Sequence, residues 1–423
     1  MHSKRVLFFL YVFYPDTASS SLLFADLLRT IARDGVPVTV FCGFPSKASE
    51  VSLQTLPRRE IVDGMEIVRC GFRIDAKRGL LARALGYSSY LGGAALALLI
   101  RGGRNATVIG TSEPPFLPIV LWAVSLLRHL RYQVVILDVY PDGLVALGKL
   151  SASSIVTHFW QVLNRLSYRR AERLIAIGRD IAVRLQREYG VDPQQIAYVP
   201  HWGVAEVDTR EWTAERPMLQ RLGLTNKFVV QYSGNMGLWH DIETFVRVAD
   251  LLRHDDRIHF LFIGKGMRRE GAERLSRDLG LKNVTWLEFL PREQLGESLL
   301  SCDASLVSMR SGLEGVAVPC KLYGILAAGR PVIAQVPADT EVAFAVQEER
   351  CGIVVPPGDI PGLADAILHL ANNPEGATAM GRRGQEAYRS KYSIRDAYRV
   401  LRGLWNWDDG AMPVDEGNGI VRL

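Results

Sequence analysis

Short runs of Val, Ile, Leu and Phe alternate with amphipathic stretches along most of the chain. The apolar runs predict strands at "RVLFFLYV", "VPVTVFCG", "MEIVRCG", "ATVIGT", "QVVILDV", "RLIAIG" and "IAYVPH". A second series reads "FVVQYSG", "IHFLFIG", "VTWLEFL", "ASLVSM", "PVIAQV" and "GIVVPP". Such continuous apolar runs suit strands covered on both faces, as in parallel sheets. Between them, stretches such as "SLLFADLLRTIARDG" and "DIETFVRVADLLRHD" repeat apolar residues at helical spacing. This alternation predicts βαβ units and a doubly wound α/β fold.

The pattern breaks once, at the polar stretch 201–227. Two Rossmann-like domains are therefore expected, at 1–203 and 228–390, joined by a linker at 204–227. A closing helix at 391–406 is expected to return toward the first domain, and the Gly/Asp-rich tail 407–423 to be disordered. Two such domains would face each other across a cleft. Ligands in open α/β sheets bind beyond the carboxyl ends of the strands, so the loops there carry the candidates.

Composition narrows the classes. Net charge is +5, with Lys and Arg dispersed, which excludes a dedicated nucleic-acid binder. The five cysteines are scattered without a C-x-x-C pair, which fits a reducing cytoplasm and offers no zinc pattern. The apolar run near the N-terminus leads into "YPD" and reads as a buried strand, not a signal peptide. The run "YLGGAALALLI", 90–100, has eleven residues, too few to span a bilayer. It reads as a helix packed on a sheet. The basic segment before it, with Lys77, Arg78 and Arg83, gives a second reading: contact with an anionic membrane through 73–100, at the inner face of the cytoplasmic membrane.

Three loops of the second domain stand out. "SGNMGLWHD" offers Ser233, Gly234, Asn235 and His240 in a strand-to-helix turn whose N–H groups suit an anion. It is not the dinucleotide fingerprint G-x-G-x-x-G. "GKG" presents Lys265 between two glycines. "SGLEGVAVPCKLYGILAAGRPVIA" carries Glu314 in the loop and Val318 at its end, with Pro319 at the expected first helical position. Lys321 follows in the first turn, where the helix dipole disfavours a cation unless an anion binds. In the first domain, the candidate acceptor loops contain Asp16 and Thr17, Ser112 and Glu113, and Asp138 and Asp142.

With these loops in order, the chain resembles the retaining glycosyltransferases of family 4, which have the GT-B fold. The pieces that carry the resemblance are "AERLIAIGRDIAVRLQREYGV", "SGNMGLWHDIETF" and "VPCKLYGILAAGRPVIA". They resemble a bacterial subgroup that builds surface polysaccharide, including O-antigen and N-acetylfucosamine-type sugar transferases. The resemblance implies a nucleotide-sugar donor, usually UDP-linked, a soluble or polyprenyl-diphosphate-linked glycan acceptor, no cofactor and no required metal. It also implies an Asp near the donor sugar, carried onto Asp138, with Asp142 second. Relatives hold the ribose with a glutamate five residues before the glycine of A-G-x-P-V; here that position is Gly324. The diphosphate cations of relatives fall on Asn235 and His240. Roles are therefore redistributed: Lys321 and its helix N-terminus as the diphosphate clamp, Lys265 as second choice, and Tyr323 in place of the ribose glutamate. Two rivals share the fold: a nucleotide-sugar 2-epimerase, and a weakly catalytic subunit of a transferase complex.

Overall fold

The structure is a computed structural model that describes residues 5–16, 18–45, 55–74, 79–103, 106–203 and 216–405. Thr17, Lys77, Arg78, linker residues 204–215 and the tail 407–423 lie outside the described residues. Contacts divide the chain into two units. The first comprises 1–200, the tripeptide Gly315–Ala317 and the C-terminal stretch from Ile394; the second comprises 201–314 and 318–393.

The first unit begins β1 Arg5–Phe9, α1 Ser19–Arg33, β2 Val38–Cys42, β3 Arg59–Val62 and β4 Met65–Arg69. It continues α2 Leu80–Arg101, β5 Ala106–Thr111, α3 Leu117–Arg128, β6 Tyr132–Ile136 and α4 Asp142–Ala146. It then runs α5 Ile155–Arg170, β7 Arg173–Ala176, α6 Arg179–Tyr189 and β8 Ile196–Tyr198. The sheet order is β3-β4-β2-β1-β5-β6-β7-β8, parallel except for the β3–β4 pair. Strands β1 and β6 are apolar and almost wholly buried, which fits helices on both faces.

The sequence pattern did not single out β3. It pairs antiparallel with β4 across Asp63–Gly64, both at positive φ (50° and 82°). An Asp-Gly pair is the expected signal for such a two-residue turn. The strand's alternating, half-exposed residues lack the continuous apolar run that marks the others.

The second unit runs α7 Pro217–Leu222, β9 Phe228–Ser233, α8 Ile242–Leu251, β10 Ile258–Ile263 and α9 Arg269–Asp278. Next come β11 Val284–Leu287, α10 Arg292–Ser301, β12 Ala304–Ser308, α11 Lys321–Ala327 and β13 Val332–Gln335. It ends α12 Glu341–Glu348, β14 Gly352–Val355, α13 Ile360–Asn372 and α14 Pro374–Ala387; α15 Ile394–Leu404 belongs to the first unit. The sheet is parallel, in the order β11-β10-β9-β12-β13-β14. Helix α7 falls within the stretch read as linker, and its Met218 and Leu219 are buried with Val229, Leu261 and Ile263. The main core lies between β9, β10 and β12 and helices α8 and α13. Strand order reverses between β9 and β12, and ligands of such sheets lie beyond the strand ends at that point.

Candidate active site

At the carboxyl end of β9, the chain turns through Gly234 at φ +129°. A Cβ there would lie 2.6 Å from Lys321 Cε, so only glycine lets the lysine cross this turn. The loop after β10 packs backbone to backbone on the same turn. Gly234 N donates to Ile263 O (2.8 Å) and Met236 N to Lys265 O (2.7 Å). A Cβ on Gly264 would meet Gly234 O at 2.1 Å, and one on Gly266 would meet Met236 O at 2.3 Å. The glycines flanking Lys265 thus serve this close approach. The lysine itself is exposed and pairs with Glu288 at 2.9 Å. It forms a surface ion pair.

Lys321 opens α11 and is half-buried. Its Nζ lies 5.2 Å from the centre of the Tyr232 ring and 3.3 Å from His240 Nε2. His240 Nδ1 accepts the Gly237 N–H at 3.1 Å, so a neutral ring carries its proton on Nε2. Burial, and then the charge of Lys321, hold the imidazole well below its ordinary range, so it stays neutral. Burial also lowers the Lys321 ammonium to about 8. Near neutral pH, the Nε2–H and the ammonium are therefore two donors in contact.

The helix N-terminus contributes less than the sequence suggests. The helix begins at Lys321, not Pro319. The N–H groups of Leu322 and Tyr323 bond back to Pro319 O (3.4 Å) and Cys320 O (3.3 Å). Tyr323 is fully buried, 5.3 Å from Tyr392 and 6.2 Å from His201 between ring centroids. That leaves no ring face open to stack on a ribose. At Gly324, a Cβ would make only an ordinary contact, 3.5 Å from Leu299 Cδ1.

Other predicted donor residues take varied places. Ser233 ends β9, half-buried, and Asn235 is exposed, its carbonyl accepting from Tyr232 OH at 2.9 Å. Val318 is buried. Glu314 Oε1 accepts the Gly312 N–H at 3.0 Å, closing its own loop. The sequence reading missed the link across the switch point. Asp241 N donates to Ser308 Oγ (2.9 Å), whose hydroxyl contacts Gln335 Oε1 (3.3 Å). Polar residues closing the apolar runs "ASLVSM" and "PVIAQV" were its signal.

In the first unit, Asp138 follows β6. Its backbone N–H, with that of Leu137, donates to Ser112 Oγ (3.1 and 3.0 Å). Ser112 is buried and fixes this loop, so its hydroxyl is already engaged. Within the same unit Asp138 bridges to Ala317, and Val139 N donates to Val316 O at 2.8 Å. Burial first, and then Glu113, raise the Asp138 carboxyl to about 7. Asp142 pairs with Arg184 at 3.1 Å and accepts from Tyr189 OH, a structural arrangement that occupies its oxygens. Asp16 is buried, and its Oδ1 accepts the Ala18 N–H at 3.0 Å. Glu113 is half-buried beside the Thr111 turn. Asp138 is thus the carboxylate whose surroundings hold a proton near neutrality.

Two doubly wound sheets, with Lys321 and His240 at the switch point of the second, suit a two-domain sugar transferase. Family descriptions agree: "Glycosyl transferase 4-like domain" matches residues 23–202 and "Glycosyl transferases group 1" matches residues 217–387. The chain is a glycosyltransferase with the GT-B fold. It is similar to the probable glycosyltransferase WbjE of Pseudomonas aeruginosa, at 27% identity over 296 residues covering 69% of this chain and 72% of the relative. Among solved structures it is similar to WaaG, a glycosyltransferase involved in lipopolysaccharide biosynthesis. There the TM-score is 0.70 at 15% identity, over 94% of this chain and 100% of WaaG. Anabaena Alr3699/HepE in complex with UDP-glucose matches at TM-score 0.69 and 13% identity, over 95% and 99% of the two chains.

Proposed function

We propose that this glycosyltransferase retains anomeric configuration and takes a hexosyl or N-acetylhexosaminyl unit from a UDP-linked donor. The acceptor is a soluble or polyprenyl-diphosphate-linked glycan of a surface polysaccharide. With a lipid-linked acceptor the enzyme works at the inner face of the cytoplasmic membrane, and the basic, apolar segment 73–100 is the contact assigned to it. The observation that carries the reading is the convergence of Lys321 Nζ and His240 Nε2–H beyond β9. A diphosphate is an acceptor that suits those two donors. As the sugar bond breaks, negative charge grows on UDP, and donors already fixed in place stabilise it at no reorganisation cost. Electrostatics and positioning of the attacking hydroxyl on the same face then suffice, without a protein nucleophile. Asp138, with its carboxyl near neutrality, is assigned to hydrogen-bond the reacting sugars.

The name of WaaG supports the polysaccharide assignment, and the UDP-glucose complex of HepE supports the donor base. A thermal-shift screen against UDP, GDP, ADP and TDP sugars should give its largest shift with UDP sugars. Lys321→Ala should lower turnover by ~10²-fold or more. Near-normal turnover in that variant would remove the lysine from the mechanism. Asp138→Asn retaining full transfer would do the same for the carboxylate.

A further inference from the structure

Tyr140, two residues beyond Asp138, is held firmly at both its backbone and its ring. Its carbonyl accepts Asn164 Nδ2 at 2.5 Å and Tyr189 OH at 3.4 Å. Its ring lies nearly parallel to the indole of Trp160, at 6° and 6.2 Å between centroids. Phe116 stacks on the same indole at 4.4 Å. Trp160 is only 8% exposed, so the stack is rooted in the first unit.

The polar ends at this place are left open. The Tyr140 hydroxyl makes no hydrogen bond with a described residue, and neither does the Asp138 carboxyl, whose loop is held through backbone groups. Trp160 Nε1 is buried and also lacks a partner among the described residues. Polar groups at such depth are normally paired, so three gaps in one place call for a ligand that fills them. Asp142 is the contrast: Arg184 and the Tyr189 hydroxyl occupy its oxygens.

Charge narrows the ligand. Burial, and then Glu113, raise the Asp138 carboxyl; burial, and then Asp138, Glu113 and Tyr87, raise the Tyr140 hydroxyl. Tyr140 therefore keeps a proton to donate, and Asp138 can accept or donate one. A sugar hydroxyl, which does both, matches this pair. A sugar carboxylate would add a like charge beside Glu113 and Asp138, which is unfavourable.

We propose that Tyr140 is a specificity-determining residue of the acceptor site, its hydroxyl and the Asp138 carboxyl binding hydroxyls of an uncharged pyranose while Glu113 turns away acidic sugars. The inference rests on the assignment of Asp138 to the reacting sugars. Its test is saturation-transfer NMR on the full chain with UDP and an equimolar mixture of methyl glucoside, methyl N-acetylglucosaminide and methyl glucuronide. Saturation is expected at a neutral glycoside and not at the glucuronide. Tyr140→Phe keeps the ring on Trp160 and removes only the hydroxyl. It should weaken the neutral glycoside roughly threefold to tenfold, the range for one hydrogen bond. Glu113→Gln, equal in shape, should admit the glucuronide. The UDP resonances in the same tube report the donor side: their failure to saturate counts against the sugar-transfer reading, and the glycoside results count for or against this one. The proposal is overturned if the wild type binds the glucuronide as strongly as the neutral sugars, or if Glu113→Gln still refuses it. It is equally overturned if Tyr140→Phe leaves the neutral glycoside unchanged, or if no glycoside binds.

Discussion

Lys321 sits where its charge is costly and useful for the same reason. Burial lowers its ammonium to about 8, against an ordinary value near 10.4. The neutral His240 beside it can offer only a proton. Below about pH 8 the lysine is charged and, in the proposed role, attracts a diphosphate; above it the amine loses that charge. UDP affinity should therefore be constant on the acid side and fall by up to tenfold per pH unit above about 8, the slope for one linked proton. Lys321→Arg should flatten the profile, since a guanidinium stays charged throughout. Calorimetric titration with UDP across neutral and alkaline pH reads both curves. A flat wild-type curve would separate Lys321 from the diphosphate site.

At the level of elements, the site depends on two strand-end loops sharing one backbone surface. Gly264 has φ +131°, and a Cβ there would lie 2.1 Å from Gly234 O. Neither loop can yield without breaking the Gly234–Ile263 and Met236–Lys265 hydrogen bonds. Gly264→Ala should cost the second unit more than about 2 kcal/mol in urea unfolding. Gly324→Ala is the contrasting case. It lies inside α11, where the added methyl makes only ordinary contact. Alanine is the better helix former, so stability should rise by about 0.5–1 kcal/mol. The two substitutions separate glycines needed for close approach from one that is not. Sequence periodicity made every strand but β3 legible, because burial on both faces leaves a continuous apolar run. It also marked the loops of Lys321, His240 and Asp138, because polar residues closing such runs stand out. It did not reveal that Lys265 turns to Glu288, that Tyr323 is buried, or that Lys321 and His240 meet. Those facts depend on tertiary neighbours far apart in the chain.

For the molecule as a whole, the chain path sets the limits on dissection. After completing the second unit at Ser393, the chain returns α15 to the first. There Leu401 and Trp405 are 2% and 3% exposed, and α15 packs on α1. Trp405 Nε1 donates to Gln133 Oε1 at 3.0 Å, Tyr398 OH donates to Asp34, and Arg402 approaches Asp34 at 3.7 Å. The surface ion pair contributes little, but each buried apolar side chain stabilises by roughly 1.5–3 kcal/mol. A chain ending at Ser393 would also leave Gln133, on a central strand, without its partner. Its first unit should melt about 10 °C lower, given a shift of ~2–4 °C per kcal/mol for a unit of this size. The second unit retains every strand of its own sheet and should keep its transition. Calorimetry of full-length and truncated protein resolves the two. If the first transition did not move, α15 would be a passive strap. If it fell alone, the N-terminal half could not be studied as an independent acceptor domain without the residues that follow Ser393.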